Sequence, residues 1–241
     1  MKISVIVPAY NEEKLLGGSL AEIQSAAAAF TVRGWSFEVI VCDNNSTDRT
    51  ADIARAAGAS VVFEPVNQIA RARNAGAGAA TGDWLVFVDA DSHPGEKLFA
   101  DVAENISSGK VLAGGVTIRL DEDLFVAGLI TQFWNFSSRI TRFMAGSFIF
   151  VEAAAFRQVG GFSHEFYAAE ELDLSLRLKK LARATKRKIV ILHRHPIKTS
   201  ARKMKLYTGR ELGGFFIRSI FNHRRTIRSR EAAFMWYDGR R

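Results

Sequence analysis

Residues 1–90 repeat one unit, a short apolar run followed by a stretch of helical spacing. The apolar runs fall at 3–8, 37–43, 61–64 and 84–89. The segments between them, 12–30, 46–58 and 69–80, carry helical periodicity. Asn11 and Ser46 stand where N-caps belong, Gly58 where a helix turns out of itself, and Gly82 beyond the third helix. Strands that alternate with helices connect through right-handed crossovers, so this half predicts an α/β fold with a mostly parallel sheet flanked by helices.

After Pro94 the rhythm changes. Helices are expected over 96–107, 124–136 and 153–159, the last ended by Gly160-Gly161, and strands over 112–118, 148–151 and 189–192. In 124–136, Phe125, Leu129, Phe133 and Phe136 share one helical face. Segment 170–181 fits two patterns: Leu172, Leu174, Leu176 and Leu178 alternate as in a strand, whereas Leu174, Leu178 and Leu181 suit a helix. Lys179, Lys180 and Arg183 at its end favour the helix, whose C-terminus attracts cations. No linker or repeat interrupts the chain, so residues 1–193 read as one domain with halves 1–94 and 95–193.

Hydrophobic residues make up 48% of the 241, enough for a sizeable core. No run reaches the about 20 apolar residues of a membrane span, and the N-terminal run is too short for a signal peptide. The single cysteine, Cys42, excludes an intramolecular disulfide and a Cys-rich zinc site. A cytoplasmic location is expected. The net charge of +8 is unevenly placed. Residues 1–193 carry 20 Lys and Arg against 22 Asp and Glu, and residues 194–241 carry 13 against 3. Such a tail prefers an anionic partner.

In open sheets ligands bind beyond the carboxyl ends of the strands. Polar residues cluster there: Asn11 to Glu13 after the first strand, Asp43 to Asp48 after the second, Asp89 to Asp91 after the fourth. Asp89-Ala90-Asp91 projects two hard carboxylates from one turn, a donor set for Mg²⁺ or Mn²⁺ bridging phosphate oxygens. Taken alone the triplet is a solvated turn; its place after WLVFVD favours the metal. Ser46 and Asp48 are explained by capping, but Asp43, closing a buried strand, is not, and it can accept hydrogen bonds from a nucleobase. Arg71, Arg73 and Asn74, near a helix start, suit phosphate or base contacts, or else a solvated helix face.

These pieces together resemble the family 2 inverting glycosyltransferases of GT-A fold, over roughly residues 2–183. The segments ISVIVPAYNEE, VCDNNSTDRT, IARARNAG, GDWLVFVDAD, GSFIFVEAAAFRQVGGF and AAEELDLSLRL match in order. The resemblance implies a single GT-A-like domain: a nucleotide-sugar-binding half, 1–94, and an acceptor half, 95–193. It implies hexosyl transfer, with inversion, from a UDP- or GDP-linked sugar to an acceptor hydroxyl. By it, Pro8, Ala9, Tyr10, Glu12, Asp43, Arg71, Arg73, Asp89 and Ala90 hold the donor. Asp91 and Asp89 bind the divalent metal, Mn or Mg, with His195 (or His193) as a further ligand from a loop after the last strand. Gly146 and Ser147 lie on the acceptor side. Glu171 falls where the family has the aspartate of a Glu-Asp pair, so Glu170, Glu171 and Asp173 are all candidates for the base, with Glu171 first.

The tail mixes basic and apolar residues. Leu212, Phe215, Phe216, Ile220 and Phe221 can form one helical face beside Arg218, Arg224 and Arg225. This basic amphipathic C-terminal segment, 194–241, is expected either to pack on the domain or to touch the inner face of the cell membrane, where a lipid-linked acceptor would fit. Nucleic acid is not expected, because the sheet half has no face of interleaved aromatic and basic residues. A related nucleotidyltransferase would need a Gly-rich basic loop after the first strand, where this chain has the acidic PAYNEE. A non-catalytic membrane- or anion-binding protein leaves Asp43, Asp89 and Glu171 unexplained.

Overall fold

The computed structural model describes residues 1–122, 125–202 and 228–229. The apolar face expected around Phe215 lies outside the described residues. The strands are β1 (Lys2–Ala9), β2 (Ser36–Asp43), β3 (Ser60–Phe63), β4 (Trp84–Val88), β5 (Ser92–His93), β6 (Val111–Leu120), β7 (Phe148–Glu152) and β8 (Lys188–Thr199). The helices are α1 (Leu16–Ala26), α2 (Ala28–Thr31), α3 (Thr50–Ala56), α4 (Ile69–Ala79), α5 (Glu96–Ser107), α6 (Phe125–Thr141), α7 (Ala153–Gln158) and α8 (Glu170–Ala184). The strands form one sheet in the order β3-β2-β1-β4-β7-β6-β8-β5. All run one way except β7, antiparallel to β4 and β6, and β5, antiparallel to β8.

Both faces of the sheet are covered, and successive side chains of a strand therefore enter different cores. Val5, Val7, Val86 and Val88 pack with Leu20, Phe30, Phe99 and Val102 of α1, α2 and α5. Ile6, Leu85 and Phe87 pack with Ala70, Ala77, Phe156, Leu174 and Leu178 of α4, α7 and α8. The small residues of α4 let it lie close against β1: a Cβ at Gly76 would stand 2.5 Å from Ile6 Cγ2.

The structure corrects several local expectations. Asn11 caps no helix. Its backbone is left-handed, at φ 51°, and α1 begins at Leu16. Ser46 caps none either, since α3 begins at Thr50. Both residues instead staple the β1 and β2 loops together. Asn11 N–H donates to Ser46 Oγ at 3.0 Å, Thr47 N–H to Asn11 Oδ1 at 2.8 Å, and Glu13 N–H to Asp48 at 3.1 Å. Gly58 does turn the chain out of α3, at φ 75°. The last strand does not stop at Leu192. Leu192 pairs with Val116, and the next pair is Ile197 with Ile118. Four residues, His193 to Pro196, thus bulge against the single Thr117. Proline has no N–H to give the ladder, so the strand leaves the sheet there and rejoins it.

Residue 76 tests the close approach of α4. Gly76→Ala gains about 1 kcal/mol of helix propensity but overpacks Ile6, which costs about 1–3 kcal/mol. We expect a net loss near 1 kcal/mol, read as a lower urea midpoint at unchanged slope.

Candidate active site

At the carboxyl edge of the sheet, a cavity of about 300 Å³ is lined by residues from α4, the end of β4, α6, the loop before β7 and the start of α8. Arg73 lies in its wall and is 1% exposed. Its guanidinium donates to Glu170 Oε1 at 2.5 Å, to Asp89 Oδ1 at 2.9 Å and to the carbonyl of Gly146 at 2.8 Å. The Phe162 ring lies 5.2 Å beneath it. Burial disfavours its charge, but Asp89, Glu170 and Glu171 outweigh burial and raise its pKa. A Cβ on Gly146 would stand 3.1 Å from Arg73 Nη2, so a residue without a side chain lets the carbonyl reach the guanidinium.

Glu170 and Glu171 enter the site because α8 begins abruptly. Ala169, at its N-cap, is left-handed with φ 62°, a backbone state costing about 1 kcal/mol or more for a residue with a Cβ. Ser175 Oγ donates to the carbonyl of Glu171 at 2.7 Å and accepts from Met144 N–H at 3.2 Å, tying this turn to the loop before β7. Burial raises the pKa of Glu170, against the pull of Arg73. Burial and the neighbouring Glu170 push Glu171 up to about 8. Asp173 faces elsewhere, bound to Arg177 at 2.6 and 2.8 Å. Of the three candidate bases, Glu170 and Glu171 line the cavity and Asp173 does not.

On the sheet edge beside the cavity, Asp43 is 7% exposed and accepts from Ser46 N–H at 3.0 Å. Ala9 pairs with Asp43 in the β1–β2 ladder. Asp91 and Ala90 are buried in the turn between β4 and β5, and the Asp91 carbonyl accepts from Ser200 N–H at 3.1 Å. Asp89 and Asp91 stand two residues apart in this turn, and one Asp89 oxygen is taken by Arg73. No group of three or more His, Cys, Asp or Glu side chains able to hold a metal occurs among the described residues. Two carboxylates suit Mg²⁺ or Mn²⁺, which complete their shells with water and substrate phosphates.

A family model described as "Glycosyl transferase family 2" matches residues 4–159. The chain belongs to that family. It is 33% identical over 124 residues to a dolichol-phosphate mannosyltransferase of Pyrococcus furiosus, covering 48% of this chain and 33% of the relative. It is 33% identical over 140 residues to the uncharacterized glycosyltransferase YfnE of Bacillus subtilis, covering 56% and 31%. The chain thus spans about a third of the length of these relatives. Among solved structures, the mannosyltransferase PcManGT of Pyrobaculum calidifontis, in complex with GDP-Man and Mn²⁺, superposes with TM-score 0.67 at 20% identity, covering 93% of this chain and 60% of that one. Residues 1–349 of Staphylococcus aureus TarS give TM-score 0.63 at 20% identity, covering 98% and 68%. These likenesses bear out the single α/β fold with its mostly parallel sheet.

Within this family 2 domain, several expected site residues take other positions. Arg73 is 1% exposed and directs its terminal nitrogens to Glu170, Asp89 and the Gly146 carbonyl, where a phosphate or base contact was expected. Arg71, two residues away and so on another face of α4, donates to Gln68 Oε1 at 3.2 Å. Asn74 binds backbone, accepting from Phe162 N–H at 2.9 Å and donating to its carbonyl at 2.8 Å. Glu12 is 5% exposed and accepts from Arg202 at 2.8 and 2.9 Å. His195 lies in the bulge of β8, not in a loop after it, with Nδ1 2.9 Å from Asp101 Oδ2 on α5. It stands five residues before Ser200, where Asp91 meets the chain, so up to roughly 16 Å of chain separates it from the aspartate turn. Sequence reasoning missed two residues. Periodicity places Trp134 simply in the apolar helix at 124–136, and charge counting places Arg202 simply in the basic segment 194–241. Trp134 Nε1 and Ser147 Oγ, both at the cavity wall, are buried without a hydrogen-bond partner in the structure.

Removing the central cation should expose what it neutralises. Arg73→Met leaves two carboxylates at the cavity without their partner and should cost about 3–5 kcal/mol. Adding Glu170→Gln should recover part of that loss, measured as a non-additive double-mutant cycle in denaturant. The raised pKa of Glu171 makes a second expectation. Between pH 4.5 and about 8 the unfolded chain has released this proton and the folded chain has not. Folding stability therefore falls as pH rises through that window. Glu171→Gln should flatten the fall, measured as a smaller loss of Tm between pH 5 and 8.

Proposed function

We propose that this chain transfers a hexosyl group from a nucleoside-diphosphate sugar to an acceptor hydroxyl, with inversion at the anomeric carbon and with a divalent metal. The observation that carries the reading is the Glu171 carboxyl: it lines a cavity shared with Asp89 and has a pKa near 8. A base is most effective when its pKa lies near the working pH. PcManGT binds GDP-Man with Mn²⁺, and TarS has been solved with UDP-GlcNAc. Both support a nucleotide-sugar donor here.

The donor's base and ribose lie against Pro8, Ala9, Tyr10 and Asp43, where β1 and β2 end side by side. Its diphosphate lies along Asp89-Ala90-Asp91, where Asp91 together with Asp89 would hold Mg²⁺ or Mn²⁺. A bound ion would offset the charge that grows on the leaving diphosphate. Arg202, held at the edge of the donor site by Glu12, adds positive charge there, and this contact is the role we assign to Glu12. Arg73 acts from behind, orienting Asp89 and opposing the rise that burial gives the Glu170 pKa.

The acceptor occupies the cavity, where Ser147 Oγ and Trp134 Nε1 offer hydrogen bonds. Its hydroxyl oxygen attacks the anomeric carbon from the face opposite the phosphate. As the new C–O bond forms, the bond from carbon to phosphate oxygen breaks and its electron pair leaves with the nucleoside diphosphate. The hydroxyl proton passes to Glu171.

Two measurements test this. Asp91→Ala should abolish turnover and weaken nucleotide binding in Mn²⁺ or Mg²⁺ while leaving the melting transition cooperative. Full activity in excess chelator would defeat the metal assignment. Glu171→Gln should lower kcat about 10²- to 10⁴-fold with donor affinity nearly unchanged. In the wild type kcat should rise with pH through about 8, and the variant should lack that limb. Near-normal kcat in Glu171→Gln would move the base elsewhere.

A further inference from the structure

Helix α6 is packed inside out. The face it turns to the sheet carries small or polar residues, Ala127, Thr131, Asn135 and Ser138, with Trp134 between them. It is hung on β6 by one side chain: Asn135 accepts from Ile118 N–H and donates to the Ile118 carbonyl, both at 2.8 Å. The opposite face holds Phe125, Leu129, Phe133, Phe136 and Ile140, which are 83%, 53%, 75%, 64% and 66% exposed. These positions are spaced by three or four residues and form one unbroken stripe. An aromatic side chain presents about 150–250 Å², so the stripe exceeds the few hundred Å² that monomeric soluble proteins commonly expose.

Two further observations say what covers it. At the C-terminal end of α6 stand cations. Arg139 and Arg142 are exposed, Lys179 Nζ lies 3.7 Å above the Phe143 ring, and Arg183 and Arg142 both repel Lys179. Beside the stripe opens a cavity of about 580 Å³, in whose wall Phe125, Leu129 and Pro196 meet the polar Arg119, Glu122 and Gln132. A flat protein partner would leave this hollow unfilled, whereas a lipid, apolar at one end and polar at the other, matches both kinds of wall. No helix among the described residues is long and apolar enough to cross a membrane, so the contact is one of lying on a surface rather than spanning it.

We propose that the outer face of α6 docks on a bilayer of anionic phospholipids, with the phenyl groups of Phe125, Phe133 and Phe136 entering the acyl boundary and Arg139 and Arg142 at the headgroups. The proposal stands on α6 and does not depend on the catalytic assignments.

The test is cosedimentation of the full chain with vesicles of phosphatidylcholine alone or mixed with phosphatidylglycerol. The wild type should bind the mixed vesicles more tightly. Phe125→Ser, Phe133→Ser and Phe136→Ser combined should weaken binding about 100-fold, as expected for losing three partly inserted phenyl groups. That variant should keep its affinity for UDP or GDP, because none of the three residues lines the active-site cavity. Arg139→Glu with Arg142→Glu should weaken binding to mixed vesicles and leave phosphatidylcholine binding nearly unchanged. Wild-type binding that survives the triple serine change, or an absence of wild-type binding to either vesicle, overturns the proposal. So does a dimer in sedimentation that the serine variant dissolves without any vesicle binding, which would make the stripe an interface between copies.

Discussion

One guanidinium organises the two halves of this domain. Arg73 comes from α4 in the first half, and its partners are Asp89 at the end of β4, Gly146 before β7 and Glu170 at the start of α8. Isolated burial of such a charge is prohibitive, and isolated burial of Glu170 equally so. Each is tolerated only because the other is present, at a fixed place and orientation. The planar fork of arginine fixes angles as well as distance, which a lysine would not do. Folding the second half of the chain against the first is thus coupled to assembling the site.

The first half contributes rigidity of another kind. Its loops after β1 and β2 bond chiefly to each other, through Asn11, Ser46, Thr47, Glu13 and Asp48. Asn44 extends the network, donating to the carbonyls of Glu64 and Val66 and accepting from Gln68 N–H. Gln68 in turn donates to the carbonyls of His164 and Phe166. Loops that would otherwise wander are held before any ligand arrives, so less ordering entropy is lost on binding.

The regular parts of this architecture were legible because they follow local rules. Buried strands such as 3–8 and 84–89 announce themselves by apolar runs, and α5 was read to its observed ends because its apolar spacing is regular. What escaped depends on distant partners. The two-residue β5 has no periodicity to read, and it exists only because Thr199 and Lys198 lie beside it. The far half of β8 was hidden by the bulge at His193 to Pro196. Arg73 looked like a surface cation because helical spacing places a residue on a face without saying what that face meets. The apolar stripe of α6 has the same ambiguity with the opposite outcome: its spacing was evident, its outward direction was not. Of the cavity residues, Asp89, Glu170 and Glu171 were legible from their motifs, whereas Trp134 comes to the site only through the Asn135 clamp on β6.

The position of β5 has a geometric consequence. In sheet order it stands four strands from β4, roughly 19 Å away across a flat sheet at about 4.8 Å per step. In sequence only Asp89, Ala90 and Asp91 separate Val88 from Ser92, and four residue steps reach at most about 14 Å. The sheet must therefore roll, with β6 and β8 carried over the ends of the central strands. The rolled strands and the aspartate turn together make a closed hoop, and the turn is its buckle. A buckle of fixed length cannot slacken alone: displacing Asp91 requires the rim of the sheet to breathe with it, and tightening the rim pulls on Asp89 and Asp91. The geometry of the aspartate turn is in this sense a mechanical property of the whole hoop, set in part by strands far from it in sequence.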